Sequence, residues 1–298
     1  MSTRSDPRLG VVTGEAAPEL TDDGRAIAAA LADRGFETTP VVWTDESVDW
    51  TSFDVAVLRS CWDYPTDTDR FRGVLDAMAA ADVAVVNPPR VVRWNLHKSY
   101  LFDLQAGGVP VPATELIERG SEASLASVLR ERGLAEAVVK PAIGTASTDV
   151  WRTGLADAPA DEDRFADLLA DGDVLVQAFV PEIVDGERSI VCFGGAYSHA
   201  WNSPTEPDDV TAFGDADASY DPADRIVEEA VGALETACDA TGIDPDELPY
   251  ARVDYVERDG SLLLMELELI EPYLGLERGA HTVERFRDAI TDAVGRNG

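Results

Sequence analysis

The chain has 298 residues, 45% of them hydrophobic, and a formal net charge of −33 with a sequence pI near 4.2. That length implies about two domains with ample material for a core, and the apolar fraction excludes a disordered acidic tail. The charge excludes nucleic acid and anionic membrane surfaces as partners.

The first third alternates strands and helices. Leu9-Gly10-Val11-Val12 reads as a strand, Asp23 to Arg34 as an alanine-rich helix closed by Gly35, and Thr38 to Trp43 and Asp54 to Leu58 as further strands. A helix over Asp69 to Ala81 and a strand over Val83 to Val86 complete the βαβ rhythm of an open, mainly parallel sheet. Asn87-Pro88-Pro89 marks a first boundary. A helix is expected from about Asn95 to Gln105, ending at Gly107-Gly108. Strand Ala113–Ile117, helix Glu122–Arg132 and strand Ala137–Lys140 follow, then a loop, another strand, a helix over Asp161–Leu169 and strand Val174–Phe179. The last third gives strands Arg188–Phe193 and Ala196–Trp201, an acidic loop from Pro204 to Pro222 in which 208–221 reads as mobile, and a helix over Ala223–Thr241. A hairpin of Ala251–Glu257 with Leu262–Ile270 and a helix over Val283–Val294 close the chain. The fold class is α/β, becoming α+β towards the C-terminus. The expected units are an N-terminal α/β domain over 1–89, a linker helix and middle section over 90–180, which the family resemblance named below would make a lid, and a C-terminal part over 181–298.

The hairpin carries the strongest chemical pattern. Alternation of side chains puts Glu266 and Glu268 on one face with Leu264 and Ile270, opposite Leu263, Met265, Leu267 and Leu269. Arg252 and Asp254 share a face of the preceding strand. Pairing of Asp254 with Glu266 would bring three carboxylates together as an oxygen site for a hard cation, with Mg²⁺ the natural occupant and Mn²⁺ a substitute. That pairing needs an odd loop or a bulge, because a plain Asp259-Gly260 turn sets Asp254 against Met265. The competing reading is an acidic face open to solvent.

Only two of the 24 basic residues, Lys98 and Lys140, are lysine. Lysine supplies a compact point charge where arginine supplies a wide fork, and a phosphate cluster is the usual demand for the former. Lys98 lies near the start of the expected helix, where anions are favoured. Lys140 ends a strand before the small-residue loop Gly144, Thr145, Ala146 and Ser147, whose backbone N–H groups can approach phosphate oxygens. That loop lacks a P-loop pattern. The segment Gln177-Ala178-Phe179-Val180-Pro181-Glu182 bends at proline and can offer backbone to a purine edge, and Glu187 could accept ribose hydroxyls. Arg59, Ser60, Trp62, Asp63 and Tyr64 follow a strand at its carboxyl end, where open α/β sheets place ligands. Arg59 could hold a substrate carboxylate, against the alternative that Trp62 and Tyr64 simply pack. His199 reads as a structural or substrate-lining residue.

In this order the pieces resemble the ATP-grasp superfamily. The markers are Lys98, Lys140 with its loop, Gln177 to Val180, and Arg252-Val253-Asp254 followed by Glu266-Leu267-Glu268. The resemblance implies that Lys98 and Lys140 contact ATP phosphates, Gln177 and Val180 hold adenine, and Glu187 or Glu182 the ribose. Asp254, Glu266 and Glu268 would bind magnesium, with Arg252 on the transferred phosphoryl group. Arg59-Ser60-Cys61-Trp62-Asp63-Tyr64, Arg93-Trp94-Asn95 and Glu266 through Pro272 are similar to the subgroup that contains the cyclo-ligase of cycloserine biosynthesis and resembles the bacterial glutathione synthetases. The expectation is therefore a carboxylate–amine or cyclo-ligase acting through an acyl phosphate on a small amino-acid-like substrate, with a homodimer allowed. A small-molecule phosphotransferase and a non-catalytic ATP-binding regulator are the alternatives. The chain departs from the subgroup at Pro204–Pro222, where it has an acidic loop without arginine.

Cys61, Cys192 and Cys238 show no metal spacing and read as reduced thiols. Met1 to Gly14 is too polar for a signal peptide and no apolar run approaches spanning length, so a cytoplasm is the expected location. Acidic residues are spread over the whole length, as in a solvated shell suited to a salt-rich cell interior where ions screen self-repulsion. The melting temperature should therefore rise between about 0.05 M and about 2 M KCl; a flat salt profile refutes the high-salt reading.

Overall fold

The computed structural model describes residues 6–205 and 218–296. β1 (Arg8–Thr13), α1 (Asp22–Ala32), β2 (Glu37–Val42), β3 (Val55–Leu58), α2 (Thr68–Ala80) and β4 (Ala84–Val86) build a parallel sheet of order β2-β1-β3-β4. Both helices start on side-chain caps: Thr21 accepts from the Gly24 N–H and Asp67 from the Arg70 N–H. Alternation in the strands divides the core. Leu9, Val11, Val55 and Val57 pack with Ile27 and Leu31 of α1, whereas Val12, Ala56 and Leu58 pack with Phe71, Leu75 and Met78 of α2.

The helix expected over Asn95–Gln105 is instead two short helices, α3 (Pro89–Asn95) and α4 (Tyr100–Ala106). Pro89 at the first helical position starts α3, since its missing N–H costs nothing there. The break has a local cause: the Lys98 backbone N–H is given to the Ala142 carbonyl at 2.7 Å, which takes it out of any helical ladder. Lys98 thus stands in the turn just ahead of α4.

β5 (Thr114–Ile117), α5 (Leu125–Arg132), β6 (Glu136–Pro141), β7 (Trp151–Gly154), α6 (Ala158–Asp171) and β8 (Val174–Ala178) form a second, antiparallel sheet of order β5-β8-β6-β7. Ala137, Val139, Val174 and Val176 bury one face against Leu125, Leu129, Phe165 and Leu169 of the two helices. Val138, Lys140 and Gln177 point the other way.

β9 (Glu187–Phe193), β10 (Ala196–Ser203), β11 (Ala218–Ser219), α7 (Asp224–Thr241), β12 (Tyr250–Arg258), β13 (Ser261–Glu268) and α8 (Thr282–Arg296) complete the chain. The third sheet is antiparallel, of order β11-β10-β9-β12-β13. Most of the acidic segment expected to be mobile, 206–217, lies outside the described residues. One face of this sheet packs on α7 and also on Val91, Tyr100, Leu101 and Leu104 of α3 and α4. Residues 90–180 are therefore divided between two cores, with the helix pair belonging to the third sheet. On the other face, Val191, Phe193, Trp201 and Tyr250 join Phe286 and Ile290 of α8 in one core with the first sheet. Among the described residues no helix is long and apolar enough to cross a membrane.

The hairpin β12–β13 combines both geometries that the sequence offered as alternatives. Arg258 pairs with Ser261 across a two-residue turn whose Asp259 and Gly260 have φ of +54° and +74°, the double left-handed geometry of a tight hairpin. A bulge then absorbs Met265, so that Tyr255 pairs with Leu264 and Asp254 with Glu266. The bulge also corrects the face assignment. Leu264 turns away from the glutamates into the core with Leu262, Leu267 and Leu269, while Leu263 and Met265 pack on the opposite side with Val180, Ile183 and Val256.

Buried polar bonds tie the hairpin to the first sheet. Asn87 donates to the carbonyls of Tyr250 (2.9 Å) and Leu269 (2.7 Å), and the Tyr250 hydroxyl lies 2.9–3.1 Å from those of Leu58, Val86 and Ile270. Asn87→Ala leaves two buried carbonyls without that partner and should cost about 1–3 kcal/mol, read as a lowered midpoint in denaturant titration with an unchanged slope.

Candidate active site

A cavity of about 580 Å³ opens between the second and third sheets. Its size is ordinary for a small-molecule or cofactor pocket. Lys98, Lys140, Gly144, Thr145, Ala146, Ser147, Gln177, Ala178, Phe179, Val180, Glu187, Arg252, Asp254, Glu266 and Glu268 all line it, together with Trp62 and Tyr64. Residues as far apart in the chain as Trp62 and Glu268 therefore share one wall system.

The third sheet supplies a dense charge cluster. Arg252 Nε reaches Asp254 at 2.9 and 3.1 Å, its Nη2 reaches Asp254 Oδ2 at 3.0 Å and Glu268 Oε1 at 2.5 Å, and its Nη1 donates to the Tyr273 carbonyl at 3.0 Å. Ser189 Oγ donates to Asp254 at 2.6 Å. Lys98 Nζ bridges Glu266 Oε1 at 2.7 Å and the Gly144 carbonyl at 3.0 Å. Burial opposes the charge on Arg252, but Asp254 and Glu268 outweigh it and raise its pKa. Burial would likewise raise Glu266, yet the Lys98 and Lys140 ammonium groups hold its carboxyl below the usual range. Glu268 is pushed well above that range by burial, with Asp254 and Glu266 adding to the rise. Among the described residues no three carboxylate, imidazole or thiolate groups stand as a metal cage. Arg252 and Lys98 are the counterions of the three carboxylates here.

Lys140 differs from Lys98. No hydrogen bond or ion pair engages its ammonium among the described residues, and burial lowers its pKa, with Glu266 pulling the other way. Glu187, close to Lys140, is raised to about 8 by burial and by Asp254 and Glu266.

The loop after Lys140 lies across the cavity. Thr145 Oγ1 donates to the Trp62 carbonyl at 2.6 Å, and Lys98 holds Gly144 from below. Ala146, Ser147 and Asp149 have φ between +50° and +57°, a region that non-glycine residues adopt at some cost. Such a loop is well suited to open and close.

Several expected site residues stand elsewhere. Arg59 is 4% exposed and does not line the cavity: Nη2 donates to the Pro272 carbonyl at 2.8 Å, the guanidinium lies 5.7 and 5.6 Å from the Tyr250 and Phe286 ring centroids, and Nε and Nη1 have no hydrogen-bond partner among the described residues. Ser60 is buried with its hydroxyl 3.5 Å from that of Thr21. Asp63 serves the first domain by accepting from Trp43 Nε1 at 2.6 Å and the Glu15 N–H at 2.9 Å. Glu182 is bound by both ends of Arg258, at 2.6 and 2.8 Å, and does not line the cavity. His199 is buried, with Nε2 2.7 Å from the Leu274 carbonyl and its ring stacked on Trp201, so its part here is structural. Gln177 lines the cavity, but its side-chain amide donates to Thr114 Oγ1 at 2.9 Å. Burial raises the Cys61 thiol well above its ordinary value, which removes it as a nucleophile.

The structure adds lining residues that the sequence reading left without a role: Asn95, Ser189, Trp201, Glu271, Tyr273 and Arg278. Asn95 clamps the glutamate strand through Leu267 O and Leu269 N at 2.8 Å each. Glu271 sits inside a quoted motif, but Tyr273 and Arg278 follow it in irregular chain with no periodicity to read. Glu271 is 5% exposed, its side chain makes no hydrogen bond or ion pair among the described residues, and its carboxyl is raised to about 7 by burial, against the pull of Arg59, Arg252 and Lys98.

Known proteins resemble this chain in sequence and in fold. Residues 9–87 match the family described as the N-terminal domain of D-cycloserine synthetase DcsG. Over 304 aligned residues the chain is 34% identical to the cycloserine biosynthesis protein DcsG of Streptomyces lavendulae, covering 96% of this chain and 98% of the relative. The crystal structure of D-cycloserine synthetase DcsG superposes with a TM-score of 0.89 at 32% identity, covering 96% of this chain and 99% of that one. The D-alanine–D-alanine ligase of Bacillus anthracis, in its complex with ATP, shares the fold at a TM-score of 0.71 and 17% identity, covering 98% of each chain.

The protonation of Glu271 gives a stability signature. Its folded-state pKa of about 7 lies above its ordinary 4.5, so the folded state holds the proton longer. Stability is lost as pH rises through that window and the loss is complete above it. Glu271→Gln cannot ionise and escapes the loss. Its melting temperature relative to the unmodified protein should climb by about 3–6 °C between pH 5 and pH 8, measured without nucleotide.

Proposed function

The chain belongs to the ATP-grasp ligases, in the family of D-cycloserine synthetase DcsG, and from that premise we propose the chemistry its cavity performs. The protein is an ATP-dependent, ADP-forming ligase that joins a carboxylate to an amine-type nitrogen on a small amino-acid-like substrate. The finer reading is that both groups belong to one molecule, which the ligase closes into a ring. The supporting observation is the meeting of Lys98, the unpaired Lys140 and the carboxylates Asp254, Glu266 and Glu268 on one cavity wall.

In this reading the second sheet is the lid, the first sheet and the third form the body, and nucleotide lies between lid and body. Lys140 and Lys98 grip the phosphates, the loop at Gly144–Ser147 covers them, and the chain at Ala178–Val180 borders the adenine. Glu187, next to Lys140, receives the ribose hydroxyls. Asp254, Glu266 and Glu268 suit Mg²⁺: they are oxygen donors, mutually repelling, and buried enough to raise Glu268. Magnesium usually takes one or two carboxylates and completes its shell with phosphate oxygens and water, so a protein cage is not required. When bound it neutralises charge on the transferred phosphoryl group. Arg252, relieved of Asp254 and Glu268, then has donors for that group.

The substrate carboxylate attacks the γ-phosphorus, the bond to ADP breaks, and an acyl phosphate forms. The nitrogen adds to its carbonyl carbon, inorganic phosphate leaves, and the nitrogen loses a proton. The cations stabilise charge that develops in both steps. The Thr145–Trp62 latch keeps water from the acyl phosphate. The acidic shell suits the cytoplasm of a salt-rich cell.

The test is substrate-dependent ADP release with Mg-ATP in high salt across amino acids and amine acceptors. Lys140→Ala should lower the rate by at least about 10²-fold, and hydroxylamine should trap a hydroxamate, which a phosphate ester would not give. Absence of substrate-dependent ADP release across the panel defeats the ligase reading.

A further inference from the structure

Most cavity charges already have partners. Asp254 and Glu268 are held by Arg252, and Glu266 by Lys98. Glu187 and Glu271 make no side-chain hydrogen bond among the described residues. Glu187 and Lys140 feel each other's charge, and the reading above assigns both to nucleotide. Glu271 lies three residues beyond Glu268 in the chain and lines the same cavity as Trp62, Tyr64 and Tyr273.

The obvious internal counterion does not reach Glu271. Arg59 forms no ion pair with it, and donates instead to the Pro272 carbonyl against the Tyr250 and Phe286 rings. Lys98 is committed to Glu266 and the Gly144 carbonyl. The backbone that carries Glu271 is fixed, because Trp62 Nε1 donates to its carbonyl at 3.2 Å. A carboxyl that lines a cavity and has no hydrogen bond within the protein is left for the cavity's occupant to pair. The aromatic residues of the same lining are compatible with a cation, since aromatic faces attract ammonium groups.

We propose that Glu271, in the cavity that Trp62, Tyr64 and Tyr273 also line, is the subsite for the substrate's ammonium group. The assignment rests on the ligase reading above and adds to it the charge and place of one substrate group. It makes Glu271 a specificity residue. An amine-bearing substrate donates hydrogen bonds to the carboxylate and neutralises its charge, whereas the analogue with hydroxyl in place of the amine can donate one hydrogen bond but brings no compensating charge.

The experiment uses the full chain loaded with AMP-PNP and Mg²⁺ in high salt. Matched pairs are titrated calorimetrically: D- and L-alanine against D- and L-lactate, and D- and L-serine against D- and L-glycerate. The expected result is that the amine of at least one pair binds ten-fold or more tightly than its hydroxy partner. Glu271→Gln should abolish that preference, Glu271→Asp should restore part of it, and AMP-PNP affinity should stay within two-fold in both variants. No ten-fold preference in any pair, or a preference that survives in the folded Gln variant, overturns the proposal. Failure of the ligase reading shows separately, as loss of AMP-PNP binding or of ADP release in the unmodified protein.

Discussion

One misfit in a β-ladder organises the site. Without the bulge at Met265, the two-residue turn would set Asp254 opposite Met265 and leave the acidic residues out of phase with Arg252 and Asp254. Absorbing one residue places Asp254 against Glu266 and Arg252 against Glu268, and sends Leu264 into the core instead of the cavity. The cluster this creates repels itself and is only partly neutralised by Arg252 and Lys98. The raised Glu268 reflects burial and that surplus, whereas Glu266 is held low by the Lys98 and Lys140 ammonium groups. A divalent cation and a triphosphate together would restore balance, because each brings the charge the other half of the wall lacks.

Such a cluster needs a stiff support. Asn87 and Tyr250 provide it by spending their polar atoms on backbone carbonyls of the hairpin and of the first sheet. Asn95 grips the strand on the other side of Glu268. The first sheet, the third sheet and α8 share a core, so the carboxylate face is part of one rigid body. The second sheet has its own core and meets that body through few polar bonds, among them Thr145 to Trp62 and Lys98 to Gly144. If the ligase reading holds, that division between a carboxylate wall and a separately packed cover suits a site that closes over a labile intermediate.

Much of this was legible in the sequence because it follows from periodicity. The βαβ rhythm, the lid strands and the face shared by Glu266 and Glu268 all depend on local alternation, which one chain displays. The errors share a physical origin in long-range bonds. Lys98 loses its helix to a carbonyl 44 residues away, at Ala142. Arg59 and His199, attractive by type and position, are consumed by the carbonyls of Pro272 and Leu274. Glu271 and Tyr273 reach the cavity from irregular chain, where no pattern announces direction. The bulge itself was foreseeable only as a condition, since alternation of apolar residues cannot say where a strand gains one.

The chain's preference for arginine makes its two lysines informative in a way that the structure sharpens. Lys98 fits between a carboxylate and a loop carbonyl, with 11% of its side chain exposed. A compact ammonium can serve both acceptors there, whereas a planar guanidinium spreads its donors over a wider fork. Arg59 shows what a guanidinium does when buried in this protein: one nitrogen finds a carbonyl, two find nothing, and aromatic rings carry the rest. Lys140 is the harder case, because it is buried and no hydrogen bond or ion pair reaches its ammonium among the described residues. A desolvated ammonium without such a bond is unfavourable, and an anion brought beside it relieves the cost. Lys98 is tied to Glu266 and to the Gly144 carbonyl; in the ligase reading Lys140 is the charge left for the phosphates.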